Sequence, residues 1–192
     1  NHIHHTGLSQ SRPTEGEGMY IGCHDGSCIT THSLIEDNYI HHLRSTSVGG
    51  NDGIEIKKGS YGNTVRNNVI HDTNIGGQYP GIFVYGGGPE INTVQGNVIW
   101  NAGEGIQVVS DALIRNNVIF NCALTGITAA PHAVLGQVRN VTIIGNEIAG
   151  HPTGVLLRWA QAQDVIFQHN RVHCPGQIAL DAQGVAGSIM RD

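Results

Sequence analysis

The chain has 192 residues: 39% are hydrophobic, 27 are glycine, 13% are charged, 5% are aromatic, and the formal net charge is −5. Average proteins carry about 7% glycine and about 25% charged residues, and disorder pairs low hydrophobicity with high net charge, so this composition points to an ordered chain that is not an ordinary layered domain. No run approaches the roughly 18 uninterrupted apolar residues of a membrane span, and 10 basic against 15 acidic groups, with no basic cluster longer than Lys57-Lys58, leave no electrostatic footprint for nucleic acid.

The first predicted element, Asn1-His2-Ile3, is half of a motif that recurs: an apolar residue, two polar or small ones, Asn, any residue, then Ile or Val. Whole copies run Ile35 to Ile40, Val65 to Ile70, Val94 to Ile99, Ile114 to Ile119, Ile143 to Ile148 and Phe167 to Val172. Between them lies a second signature, Gly followed by apolar, variable, apolar. It reads Gly18-Met19-Tyr20-Ile21, Gly53-Ile54-Glu55-Ile56, Gly81-Ile82-Phe83-Val84, Gly105-Ile106-Gln107-Val108, Gly126-Ile127-Thr128-Ala129 and Gly154-Val155-Leu156-Leu157. Gln177-Ile178-Ala179-Leu180 aligns as a seventh copy without the glycine. Runs this short, alternating and β-branched are strands. Repeated at this spacing they predict an all-β parallel β-helix solenoid of about seven coils, one domain over residues 1–192. Stacked coils bring equivalent residues within about 4.8 Å. Asn1, Asn38, Asn68, Asn97, Asn117, Asn146 and Asn170 are therefore expected to form an internal ladder, because each amide has donors and an acceptor for its neighbours.

These Asn-x-Ile and Gly-Ile-x-Ile alternations resemble the right-handed parallel β-helix repeat of pectate-lyase-like proteins, over essentially the whole chain. The resemblance implies a fold and a spread of activities: polysaccharide lyases, glycoside hydrolases, uronate epimerases, phage tailspikes and non-catalytic surface proteins. It implies a substrate cleft on the face of the glycine-containing strand, and a secreted, extracellular, periplasmic or cell-surface setting. The paired-aspartate motif of polygalacturonases, the Asp-Pro-His of alginate epimerases and the Arg-x-Pro-x-x-Arg of classical pectate lyases are not found. Glu55-Ile56-Lys57 partly resembles the acidic strand of alginate and chondroitin lyases, with Lys57 at its second acidic position.

Departures from the repeat mark where function is expected, since insertions map to loops. From ladder Asn to strand Gly the chain takes 17 residues in coil 1 (Asn1 to Gly18) and 8 in coil 4 (Asn97 to Gly105), so the long loops fall on coils 1 to 3. The outward column of the glycine strand reads Tyr20, Glu55, Phe83, Gln107, Thr128, Leu156, Ala179, and Lys57 and Tyr85 stand in the next column. Tyr20, Phe83 and Tyr85 either stack on sugar faces or simply cover the sheet. Lys57 and Lys58 are the only lysines. One reading makes Lys57 the base that removes the proton α to a uronate carboxylate, with Arg44 or Arg12 as electrostatic helper and Lys58 on the sugar; the other is a solvated turn.

Glu17, Asp52 and Glu104 precede the strand glycines. Asp52 and Glu55, with Glu17 and Asp25, have the oxygens a Ca²⁺ site needs, or Asp52 and Glu55 form the carboxyl pair of a glycosidase. His4, His41, His71 and His173 share one repeat position, and His5, His42 and Asp72 the next. Stacked imidazoles suit a transition metal or acid–base work, and His42 and His71 are also placed as substrate contacts; the competing reading is repeat-level duplication of a surface residue. Cys23 and Cys28 bracket a short turn and are expected to form a disulfide, implying an oxidising compartment, with a metal pair or free thiols as the alternatives. Asn1 begins inside a repeat, which reads as a mature part or fragment of a longer chain, and uncapped coils imply end-to-end self-association. The expected function is binding of an acidic polysaccharide on coils 1 to 3, with cleavage by β-elimination through Lys57; a hydrolase using Asp52 and Glu55, and a non-catalytic structural or adhesive β-helix, are the competitors.

Overall fold

The computed structural model describes residues 1–8, 16–44, 50–73, 79–132, 136–158, 163–183 and 189–191. Each coil supplies three strands. The first three coils hold β1 (His2–His4), β2 (Met19–Ile21), β3 (Leu34–Glu36), β4 (Tyr39–His41), β5 (Ile54–Ile56), β6 (Thr64–Arg66), β7 (Val69–His71), β8 (Pro80–Val84) and β9 (Asn92–Gln95). Then follow β10 (Val98–Trp100), β11 (Glu104–Val108), β12 (Ser110–Arg115), β13 (Val118–Phe120), β14 (Thr125–Ala129), β15 (Arg139–Ile144), β16 (Glu147–Ala149), β17 (Thr153–Arg158), β18 (Gln163–Gln168), β19 (Arg171–His173), β20 (Ile178–Gln183) and β21 (Ile189–Arg191). Every third strand pairs in parallel, which makes three seven-stranded sheets among the described residues. We call them the asparagine sheet (β1 to β19), the glycine sheet (β2 to β20) and the third sheet (β3 to β21). No helix among the described residues is long and apolar enough to cross a membrane.

The core is the set of inward stacks. Ile40, Ile70, Ile99, Ile119 and Ile148 of the asparagine sheet are fully buried, as are Ile54, Ile82, Ile106, Ile127 and Val155 of the glycine sheet. Burying each such side chain stabilises by roughly 1.5–3 kcal/mol, so stacking coils is favourable wherever the inward residue stays apolar. The corner between the third and asparagine sheets holds the amide ladder. Asn1 donates to Asn38 at 2.7 Å, Asn38 to Asn68 at 2.8 Å, Asn68 to Asn97 at 2.9 Å, Asn97 to Asn117 at 3.0 Å, Asn117 to Asn146 at 2.9 Å and Asn146 to Asn170 at 2.8 Å. A shorter rung, Asn63 to Asn92 at 3.0 Å, stands before the third sheet and has no counterpart in the repeat as read.

The strand glycines have a steric cause. A Cβ on Gly105 would lie 2.3 Å from the Gly126 carbonyl oxygen, and one on Gly53 2.4 Å from that of Gly81. Among the described residues, β20 is the edge strand of this sheet. The register there corrects the sequence alignment: Leu156 pairs with Asp181, two residues beyond Ala179, and Val155 pairs with Leu180. A slip of two preserves which face each side chain takes, so the apolar pattern alone did not resolve it.

Candidate active site

The outward face of the early glycine sheet carries the site. The register sets Tyr20 beside Glu55 and Glu55 beside Phe83, and Phe83 beside Gln107. One step further along, just past the strand ends, stand Lys57 and Tyr85, whose backbone N–H groups donate to Ile21 and Ile56 carbonyls at 2.8 and 3.0 Å. Together with Glu17, His24, Asp52, Tyr79 and His132 these side chains line a cavity of about 530 Å³.

On its floor the charges are paired and packed. The Lys57 ammonium, only 4% exposed, donates to Glu55 Oε1 and lies 4.1 Å from the Tyr20 ring centroid and 4.8 Å from that of Tyr85. Glu17, Asp52 and Glu55 bring carboxylate oxygens within 4.8 Å of one another. Burial first, then the neighbouring Glu55 and Glu17, raises Asp52 well above the usual carboxylate range. Asp52 Oδ1 and Glu55 Oε2 are buried with no hydrogen-bond partner among the described residues. Two unpartnered buried oxygens beside a third carboxylate are hard oxygen donors of the kind Ca²⁺ takes, so these residues fit as part of a Ca²⁺ site.

Rings form the wall. Phe83 and Tyr85 meet edge-to-face at 4.2 Å between centroids, and His132 stacks on Tyr85 at 5.5 Å. Burial, followed by the charge of Glu55, pushes the Tyr85 phenol upward, so it stays protonated. Burial, then His24 and Lys57, lowers His132 below the ordinary histidine value, leaving a neutral imidazole at neutral pH. Tyr20, 44% exposed, offers its ring to the open side.

Of the residues singled out from sequence, Lys57, Glu55, Asp52, Tyr20, Phe83 and Tyr85 come together here. Asp25 does not join the carboxylates: its side chain accepts from the Ser27 N–H at 2.9 Å and from the Ser27 hydroxyl. With Lys58 and Arg139 it lines a neighbouring cavity of about 570 Å³ that shares Tyr85. Glu17 takes the third carboxylate position. Arg44 is exposed beyond β4 and does not line the cavity, Arg12 lies outside the described residues, and His42 and His71 sit on the asparagine sheet. His132 is not among the residues singled out from sequence; the available signal is a histidine in the long segment between β14 and β15. Cys23 is disulfide-bonded to Cys28, which ties the turn carrying His24 and Asp25. Cys122 and Cys174 are buried free thiols, and burial pushes Cys122 up to about 12, so it is inert.

Three parallel sheets, an internal amide ladder and a groove on the outer face of one sheet define a parallel β-helix protein. A family model described as the right handed beta helix region matches residues 1–172, and the chain belongs to that family. No curated protein and no solved structure matches the chain.

Proposed function

We propose that the chain binds an acidic polysaccharide in the Tyr20–Glu55–Phe83 groove and cleaves it by β-elimination. The carrying observation is the cluster of half-buried Glu17 with buried Asp52 and Glu55, two of its oxygens unpartnered among the described residues, against the buried Lys57 under an aromatic wall. Alone, three carboxylates and one ammonium repel a polyanion. Ca²⁺ held by Glu17, Asp52 and Glu55 would neutralise the uronate carboxylate and acidify its α-proton. Lys57 is the base, acting as the free amine: the amine takes the α-proton, the C–H electrons form the C=C bond, and the glycosidic C–O bond breaks as its oxygen takes a proton from water. Tyr20 and Phe83 supply ring faces for the sugar, and the disulfide at Cys23–Cys28 suits an extracellular or cell-surface setting.

A hydrolytic reading is favoured by one observation: burial and the neighbouring carboxylates raise Asp52, while Glu55 accepts a hydrogen bond from the Lys57 ammonium. Neighbouring carboxyls in unlike surroundings suit a general acid and its partner. One experiment separates the readings. The protein is incubated with uronate polysaccharides, with Ca²⁺ or with chelator, and unsaturated product and reducing ends are recorded together. Calcium-dependent unsaturated product, lost in Lys57→Ala, is expected. Reducing ends without unsaturation would replace elimination by hydrolysis, and no turnover with unchanged glycan binding in Lys57→Ala would leave a structural β-helix.

A further inference from the structure

Away from the groove, the flank of the asparagine sheet gathers the histidines of the first three coils. The register stacks His4 on His41 and His41 on His71, with ring centroids 5.3 and 5.2 Å apart and planes within 9°. The column continues through Trp100, 4.1 Å from His71, to Phe120. Immediately after these strands the chain turns through left-handed residues, His42 at φ 52° and Asp72 at φ 50°. Non-glycine residues accept that conformation at a cost that is least for Asn, Asp and His, and here the turn lays His42 and Asp72 beside each other on neighbouring coils.

Three donors converge there. His71 Nδ1 is 2.7 Å from Asp72 Oδ2, His42 Nε2 is 3.7 Å from the same oxygen, and the three donor atoms all lie within 4.8 Å of one another. Ligands of a tetrahedral zinc ion, at about 2.0–2.1 Å from the metal, stand about 3.3 Å apart; 2.7 and 3.7 Å bracket that value. The outer contacts of each group are already in place. Asn101 donates to Asp72 Oδ1 at 3.0 Å. Tyr39 Oη meets His71 Nε2 at 2.9 Å, His41 meets the far nitrogen of His42 at 2.6 Å, and His2 meets the far nitrogen of His41 at 2.6 Å. Partners that orient the ligand groups in this way are what metal-binding histidines require. His71 is held by its stack and is 9% exposed, whereas the His42 side chain is 38% exposed, so the cluster opens to solvent on one side.

We infer that His42, His71 and Asp72 form a binding site for a borderline divalent transition-metal ion, Zn²⁺ or its Co²⁺ and Ni²⁺ analogues, with a fourth position left to solvent. Two imidazoles and one carboxylate select such ions over Ca²⁺, whereas Glu17, Asp52 and Glu55 are all oxygen. The molecule therefore carries two cation sites on two faces, sorted by ligand chemistry, and this one does not depend on the groove's activity.

The test is a titration of chelator-treated protein with Co²⁺, read by its visible d–d absorption, followed by displacement with Zn²⁺. One equivalent with the intense bands of four-coordinate Co²⁺ is expected. His42→Ala and Asp72→Asn should each weaken binding tenfold or more, with the β circular-dichroism spectrum retained. Asp72→Asn is tolerable in the backbone because Asn101 and Asn121 occupy equivalent left-handed turns. A His4→Ala/His5→Ala double variant should bind as the parent does. Octahedral-type weak absorption in the parent, equal affinity in His42→Ala and Asp72→Asn, or loss only in the His4/His5 variant would each overturn the assignment.

Discussion

Tyr20, Glu55 and Phe83 occupy, on the first three strands of the glycine sheet, the positions that Thr128, Leu156 and Asp181 occupy on the last three. The inward residues hardly differ: Ile54 and Ile82 early, Ile127 and Val155 late, all fully buried. A stacked coil constrains its interior, because each side chain must fill the gap above the previous one, and leaves its exterior free. The same backbone thus carries a charge cluster at one end and the uncharged Thr128 and Leu156, buried and half-buried, further along. Chemistry on this scaffold is an outward property, and stability an inward one.

The sharpest way to test that separation is Lys57→Ala. Turnover should fall about 10²–10⁴-fold, the usual worth of a positioned acid–base group, with a smaller change in melting temperature; an equal fall in stability and activity would erase the distinction between faces.

Next is Asn117→Ala. Asn97 would lose the acceptor of both its backbone N–H and its side-chain amide, and each orphaned buried donor costs about 1–3 kcal/mol. A loss of about 2–4 kcal/mol in denaturant unfolding is expected, with glycan binding in the groove retained. A loss under about 1 kcal/mol would show that the ladder is replaceable by water.

Asp52→Asn acts in the opposite direction. Because the folded state raises the Asp52 carboxyl above its ordinary 3.8, the native protein holds that proton more tightly than the unfolded chain. Its stability is complete below 3.8 and declines as pH rises through the folded value. The variant removes this decline, so at neutral pH it should be more stable than the parent and should lose any Ca²⁺-induced rise in melting temperature. Destabilisation at neutral pH would mean that Asp52 is held ionised.

The smallest effect belongs to Leu156→Thr on the late outward face. Stability should move within about 0.5 kcal/mol and groove binding not at all, as measured by thermal unfolding and glycan titration; a binding defect would extend the functional face beyond the early coils.

Much of the fold was legible because a solenoid repeats its constraints. Seven asparagines at one repeat position can only satisfy each other when stacked, and the ladder observed from Asn1 to Asn170 follows from that. The Asn63–Asn92 rung escaped notice because a pair is too short to announce a period. Half of the site was legible for a similar reason: strand alternation assigned Tyr20, Glu55, Phe83 and Lys57 to one face. Asp25 has the same oxygens as the other carboxylates in the sequence, but the Ser27 turn holds it, while Glu17 arrives from the chain before β2. His132 comes from three coils away, a distance that no local pattern spans.

By itself, the order of residues determined the class of fold, the inward stacks, the amide ladder and the face on which chemistry lies, because all of these depend only on period and alternation. Tertiary structure decided what meets across coils: that Lys57 is clamped between Glu55 and two tyrosine rings, that Glu17 completes a carboxylate triad, and that His42 and Asp72 converge on His71. Those contacts depend on loop lengths, register and turn conformation, which set three-dimensional distance and leave no periodic trace in the chain.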